Sequence, residues 1–149
     1  MKIAIIGTGN LGESIAKGIL EKKLANSLWL TKRHIENLEK YKTIHCVYVT
    51  SNNIEAIQNA EILIFALQPV HQEMVLNEVK TYLKPGQTII STAAGFSIEK
   101  IESIIGKEHA IIISMPNTAI SVGKSMTCLS SNDLGKKHVE IVRKIFNSL

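Results

Sequence analysis

Apolar residues fall along the chain in short unbroken blocks with amphipathic stretches between them. Six strand-length blocks, at residues 2–6, 28–31, 46–49, 62–67, 88–92 and 109–114, run through the first three quarters of the sequence. Most are continuous Ile, Leu and Val runs rather than alternating ones, the pattern of parallel strands covered by helices on both faces. Between them the period changes. Ile15, Ile19 and Leu20 share one side of a helix, and the segment 70–82 carries Met74, Val75, Val79 and Tyr82 near helical spacing, which predicts a second helix there. Pro85-Gly86 breaks the chain before the fifth strand, and Ser97 can cap a helix opening before Glu99. Asn132 or Asp133 can cap a last helix over 134–146, after a short strand at 126–129. Repeated strand-helix-strand units predict a single α/β domain over residues 1–149, a doubly wound, mainly parallel sheet with helices on both faces.

The first turn carries the most specific chemistry. Gly7-Thr8-Gly9-Asn10-Leu11-Gly12 lies between the first strand and the first helix. In this arrangement the first glycine permits a tight turn, the second lets a diphosphate reach the backbone, and the third lets helix and strand pack closely. Amides opening the helix then face the anion with the positive end of its dipole. Gly7, Thr8, Gly9, Asn10, Leu11 and Gly12 are therefore the expected cofactor turn of a Rossmann-type dinucleotide-binding domain.

The second strand ends in Thr31-Lys32-Arg33-His34, where a domain selecting NAD would place Asp or Glu for the ribose hydroxyls. Lys32 and Arg33, with the Thr31 hydroxyl, suit a 2′-phosphate, so NADP(H) is expected over NAD(H), with NAD(H) as the alternative; the competing reading is a solvated basic turn. Two further strand ends lie at the same edge of the sheet. Ala66-Leu67-Gln68-Pro69 and Thr92-Ala93-Ala94-Gly95 stop at small or turn-forming residues that can wall a ribose and nicotinamide, or serve as ordinary turns. Asn53 is either a hydrogen-bonder on the adenosine side or a helix cap.

Composition narrows the remainder. The chain has 149 residues, 45% hydrophobic and 20% charged, the profile of a globular domain. Its longest apolar runs fall far short of the roughly 20 residues that span a bilayer, so no membrane partner is expected. The sequence passes from Met1-Lys2 directly into a strand, which predicts no secretory leader and a cytoplasmic location. Cys46 and Cys128 stand apart without metal spacing, and the five His residues, His71 and His109 among them, lie singly, so no metal site is expected. The net charge of +4 is dispersed and aromatics are only 5%, which argues against nucleic acid. No Ser-His-Asp or paired-carboxylate arrangement emerges, and hydride transfer requires none.

Together these residues resemble pyrroline-5-carboxylate reductase. The resemblance runs over essentially the whole chain. It is carried by the Gly7-to-Gly12 turn, the Ala66-Leu67-Gln68-Pro69 turn, Ser91-Thr92-Ala93-Ala94-Gly95, and above all Met115-Pro116-Asn117-Thr118 followed by Val122-Gly123 and Met126-Thr127. It implies NADPH-dependent reduction of a cyclic imine, 1-pyrroline-5-carboxylate, to L-proline. Cofactor contacts would come from the glycine turn, Lys32, Arg33, Asn53, Ala66, Leu67, Gln68, Pro69, Thr92, Ala93 and Ala94. Asn117 and Thr118 would lie beside nicotinamide and substrate as the catalytic positions. Three residues depart from the family pattern: Gln68 where Lys is usual, Ala119 where Pro is usual, and Ser125 where Gly is common. Family members continue into a helical domain that dimerises and supplies much of the substrate pocket. The resemblance thus implies that this chain is the N-terminal cofactor domain of a homo-oligomeric parent. The alternatives are a stand-alone NADP(H)-binding or sensing module, and a reductase of another small imine or keto acid.

Overall fold

The apolar blocks become strands of one sheet in the structure, a computed structural model that describes residues 1–116 and 126–147. The strands are β1 (Lys2–Ile6), β2 (Ser27–Thr31), β3 (Val47–Thr50), β4 (Ile62–Phe65), β5 (Thr88–Ser91), β6 (Ala110–Pro116) and β7 (Thr127–Ser131). They lie in the order β3-β2-β1-β4-β5-β6-β7. β1 to β6 are mutually parallel, and β7 returns antiparallel along β6 with Cys128 opposite Met115. After β3 the chain crosses back to lay β4 against β1. Neighbouring crossovers therefore diverge at the carboxyl ends of β1 and β4 and leave a crevice there.

Among the described residues, five α-helices cover the sheet: α1 (Asn10–Glu21), α2 (Asn53–Gln58), α3 (Pro69–Val79), α4 (Ile98–Ile105) and α5 (Val139–Phe146). Short 3-10 turns occupy Ile35–Tyr41, Lys80–Tyr82 and Gly135–His138. The alternation along β1 explains its unbroken apolar sequence. Ile3 and Ile5 pack into the layer of Ile15, Ile19, Leu38 and Phe146, whereas Ala4 and its neighbours on the other face meet Ile57, Leu76 and Ile101. Both faces are buried, and each large side chain enclosed this way contributes about 1.5–3 kcal/mol of transfer free energy.

Caps follow the sequence in part. The Ser97 hydroxyl accepts from the Lys100 amide at 3.1 Å. Asn132 caps neither the 3-10 turn nor α5, whose N-cap residues are Leu134 and His138, and works as a junction: Oδ1 accepts from Gly135 at 2.8 Å and Ile111 at 3.1 Å, while Nδ2 donates to the His109 carbonyl at 2.9 Å. One side chain thus joins the start of β6 to the turn after β7. Asn52 rather than Asn53 caps α2, its Oδ1 accepting from the Ile54 and Glu55 amides.

Three expectations shift. β4 ends at Phe65, so Ala66 and Leu67 leave the sheet to form the crevice wall. The segment at 134–146 begins as a 3-10 turn before α5. The helix expected over 70–82 ends at Val79; its core face consists of Gln72, Leu76 and Val79, whereas Met74 is 63% exposed and Tyr82, beyond the helix, 42%. A polar residue took the core position because it finds a partner there: Gln72 Nε2 donates to Ser91 Oγ of β5 at 2.8 Å, and that hydroxyl lies 3.0 Å from Gln72 Oε1.

Tyr41 joins the first 3-10 turn to α1, its hydroxyl donating to Glu13 at 3.1 Å. Lys40, hydrogen-bonded to the same carboxylate, holds Glu13 below the usual range, against the opposing effect of burial. Burial, reinforced by the adjacent Glu13 carboxylate, pushes Tyr41 up to about 12. The neutral phenol is favoured in the folded chain, so its contribution is complete below the free value near 10 and fades as pH rises through about 12. An absorbance titration of the three tyrosines should show one step near 12, and Tyr41→Phe should remove it while costing about 1 kcal/mol at neutral pH. A wild-type titration lacking the late step would contradict this contact.

Candidate functional site

The glycine turn is fixed by contacts with three strands. Gly7 adopts φ +89°, and a Cβ there would stand 2.3 Å from Leu67 Cδ2. Its amide donates to Thr31 Oγ1 at 3.2 Å, and the Thr8 amide donates to the Thr31 carbonyl at 2.7 Å. The Thr31 hydroxyl thus braces the turn, and Thr31 lines the same crevice as Lys32 and Arg33. Gly12 packs so closely that a Cβ would come 2.5 Å from the Gly7 carbonyl oxygen. Gly9 differs: a Cβ there would meet nothing within 4 Å. The fold itself demands Gly7 and Gly12, and the open space over Gly9 fits an incoming group.

That space lies at the start of α1. No side chain caps the helix, so the amides of its first turn present their partial positive charge outward. Its one acidic residue there, Glu13, is engaged by Lys40 and Tyr41. A diphosphate fits this arrangement, which supplies backbone donors and room for the anion.

The surrounding crevice measures about 820 Å³ and has three walls. Gly7, Thr8 and Gly9 form one. Lys32, Arg33 and His34 after β2, with Ser51 and Asn53 after β3, form the second. Neither Lys32 nor Arg33 enters an ion pair among the described residues, and both remain available to an anion. The third wall combines Ala66, Leu67 and Gln68 with His71, Met74, Val75 and Glu78 of α3.

Other expected positions are not among the residues lining this crevice. Asn10, Leu11 and Gly12 form the first turn of α1, and Pro69 opens α3. Thr92 is tied to the end of β4, its amide and hydroxyl each donating to the Phe65 carbonyl at 3.1 Å. Ala93 lines a separate pocket of about 350 Å³ with Phe96, Ile113 and Met115, and exposed Ala94 follows it. Asn117 and Thr118 lie outside the described residues, as do Ala119, Val122, Gly123 and Ser125. Sequence reasoning did not single out Ser51, Met74, Val75 or Glu78 as residues lining this crevice. The available signal was the 71, 74, 75, 78 spacing, which puts those four residues on one helical flank.

Among the described residues, no three His, Cys, Asp or Glu side chains converge as a metal site, and no helix is long and apolar enough to cross a membrane.

An uncapped helix start behind an open glycine, at the switch point of a parallel sheet, is the arrangement of a dinucleotide-binding domain. The family described as NADP oxidoreductase, coenzyme F420-dependent, matches residues 2–95, and the chain belongs to it. It is 36% identical over 161 residues to pyrroline-5-carboxylate reductase 1 of Dictyostelium discoideum, with 99% of this chain and 29% of that protein covered. Among solved structures it is similar to a pyrroline-5-carboxylate reductase from Coxiella burnetii, with TM-score 0.92, 29% identity, and coverage of 99% of this chain and 56% of that one. It also resembles Plasmodium falciparum pyrroline carboxylate reductase with NADP bound, with TM-score 0.85, 28% identity, and coverage of 99% and 55%. The chain spans 29% to 56% of the length of these proteins.

The glycines separate packing from binding. Gly12→Ala should lower folding stability by about 2 kcal/mol, because its methyl group meets backbone. Gly9→Ala should change stability by less than about 1 kcal/mol yet weaken dinucleotide binding about tenfold or more. Chemical denaturation and calorimetry measure the two effects, and undiminished binding by Gly9→Ala would remove the diphosphate from this turn.

Proposed function

We propose that residues 1–149 form the NADP(H)-holding domain of a pyrroline-5-carboxylate reductase. The observation that carries this reading is the pairing, in one crevice, of an open Gly9 cradle with Lys32 and Arg33, cations without an ion pair among the described residues. The relatives named above support the substrate class. The reaction is hydride delivery to the C=N carbon of 1-pyrroline-5-carboxylate with protonation of the ring nitrogen, giving L-proline. NADPH, when bound, supplies the hydride.

This chain's residues bind and orient. Amides opening α1 hold the diphosphate, and Lys32 and Arg33 grip the 2′-phosphate through charge-assisted hydrogen bonds. Ala66, Leu67 and Gln68 wall the route from adenosine toward nicotinamide, with Thr92, Ala93 and Ala94 at its far end. Gln68 keeps hydrogen-bonding capacity without a charge. Asn117 and Thr118 are assigned the positioning of nicotinamide and imine, an assignment supported by motif match. The rest of the substrate pocket is assigned to the portion of the relatives beyond this span, in a cytoplasmic homo-oligomer.

Calorimetry with NADPH and NADH tests the cofactor assignment. The wild-type chain should favour NADPH, and Arg33→Ala should raise its Kd about tenfold to a hundredfold while leaving NADH nearly unchanged. Equal affinity of the wild type for both nucleotides would overturn the NADP assignment. NADPH oxidation by the full-length protein with 1-pyrroline-5-carboxylate tests the acceptor, and absence of turnover would end the imine reading while leaving the cofactor site standing.

A further inference from the structure

α3 presents His71, Met74, Val75 and Glu78 along one flank, and all four line the crevice. The flank is apolar in its middle. Met74 leaves a thioether side chain 63% exposed, although Leu76 and Val79 of the same helix are fully buried. Val75 is half-buried beside it. Such a strip gains from covering by a flat apolar face, and the polarizable sulfur suits an aromatic ring.

Glu78 ends the strip. Its carboxylate has no hydrogen bond or ion pair among the described residues, whereas Glu73 on the same helix pairs with Lys100 at 2.7 Å. A carboxylate in a crevice that carries Lys32 and Arg33 opposes the anion those cations attract. Its presence there is explained by a ligand that brings a donor to it, because an ionised carboxylate only accepts hydrogen bonds.

We infer that the adenine of the dinucleotide lies across Met74 and Val75 and that Glu78 selects it by accepting a hydrogen bond from its exocyclic amino group. The inference rests on the reading of this crevice as a dinucleotide site and adds the discrimination of the base. A 6-oxopurine in the same pose directs a carbonyl oxygen at the carboxylate, so acceptor faces acceptor. Asn53 and Ser51, on the opposite wall, bound the slot.

The test compares Kd values for NADPH and its hypoxanthine analogue by calorimetry, on the full 149-residue chain and on Glu78→Gln and Glu78→Ala. Glu78 is exposed, so neither substitution disturbs the core. The wild type should bind NADPH about tenfold or more tightly than the analogue, the size of a hydrogen bond to a charged group. Both variants should bring that ratio close to one. A wild-type ratio near one overturns the inference, as does a ratio that both variants preserve. Tighter binding of both nucleotides by the same factor in Glu78→Gln would mark a solvated charge repelling phosphate, and would also overturn it. No binding of either nucleotide by the wild type overturns the cofactor reading and this inference with it, which separates that failure from failure of base selection alone.

Discussion

The approach of α1 to the end of β1 governs the rest of the molecule. Gly12 sits under the Gly7 carbonyl at a distance that admits no side chain, and Gly7 turns through a left-handed conformation against Leu67. These two contacts aim the start of α1 at the mouth of the sheet. They also leave its first amides without an internal partner. The same geometry that satisfies packing therefore creates an electrostatic demand that the protein does not meet itself.

The other walls answer that demand at increasing distance. β2 ends beside β1 and delivers Lys32 and Arg33, while its last residue, Thr31, is spent on holding the glycine turn. β4 ends on the other side and delivers Leu67, which closes over Gly7. Parallel order brings these carboxyl ends together although they are far apart in sequence. Charge, backbone donors and an apolar strip then run along one crevice, a gradient suited to a long ligand that is polar in its middle and flat at its ends.

Much of this was legible in the sequence because periodicity and glycine spacing are local. The six apolar blocks mark the six parallel strands, and Ser97 caps α4 where its position indicates. What escaped depended on partners distant in sequence. Nothing near Gln72 reveals that Ser91, nineteen positions on, makes it a core residue. The flank that Met74 and Val75 share with Glu78 was likewise overlooked. Asn52 and Asn53 compete for the same cap, and backbone geometry rather than residue type decides between them. Thr31 shows a different case: its location was legible, and the hydrogen bond it accepts from the Gly7 amide was not.

The bond between Gln72 and Ser91 has a mechanical meaning beyond its contribution to the core. Leu76 and Val79 are oily and nearly shape-tolerant, and contacts of that kind let a helix roll by several degrees at little expense. A directional clasp does not. It indexes α3 about its own axis, as a key fixes a gear on a shaft, and the opposite flank inherits that setting. Exchange of Gln72 for an aliphatic residue of equal volume would leave an intact globule whose ligand-facing ridge had lost its angular reference.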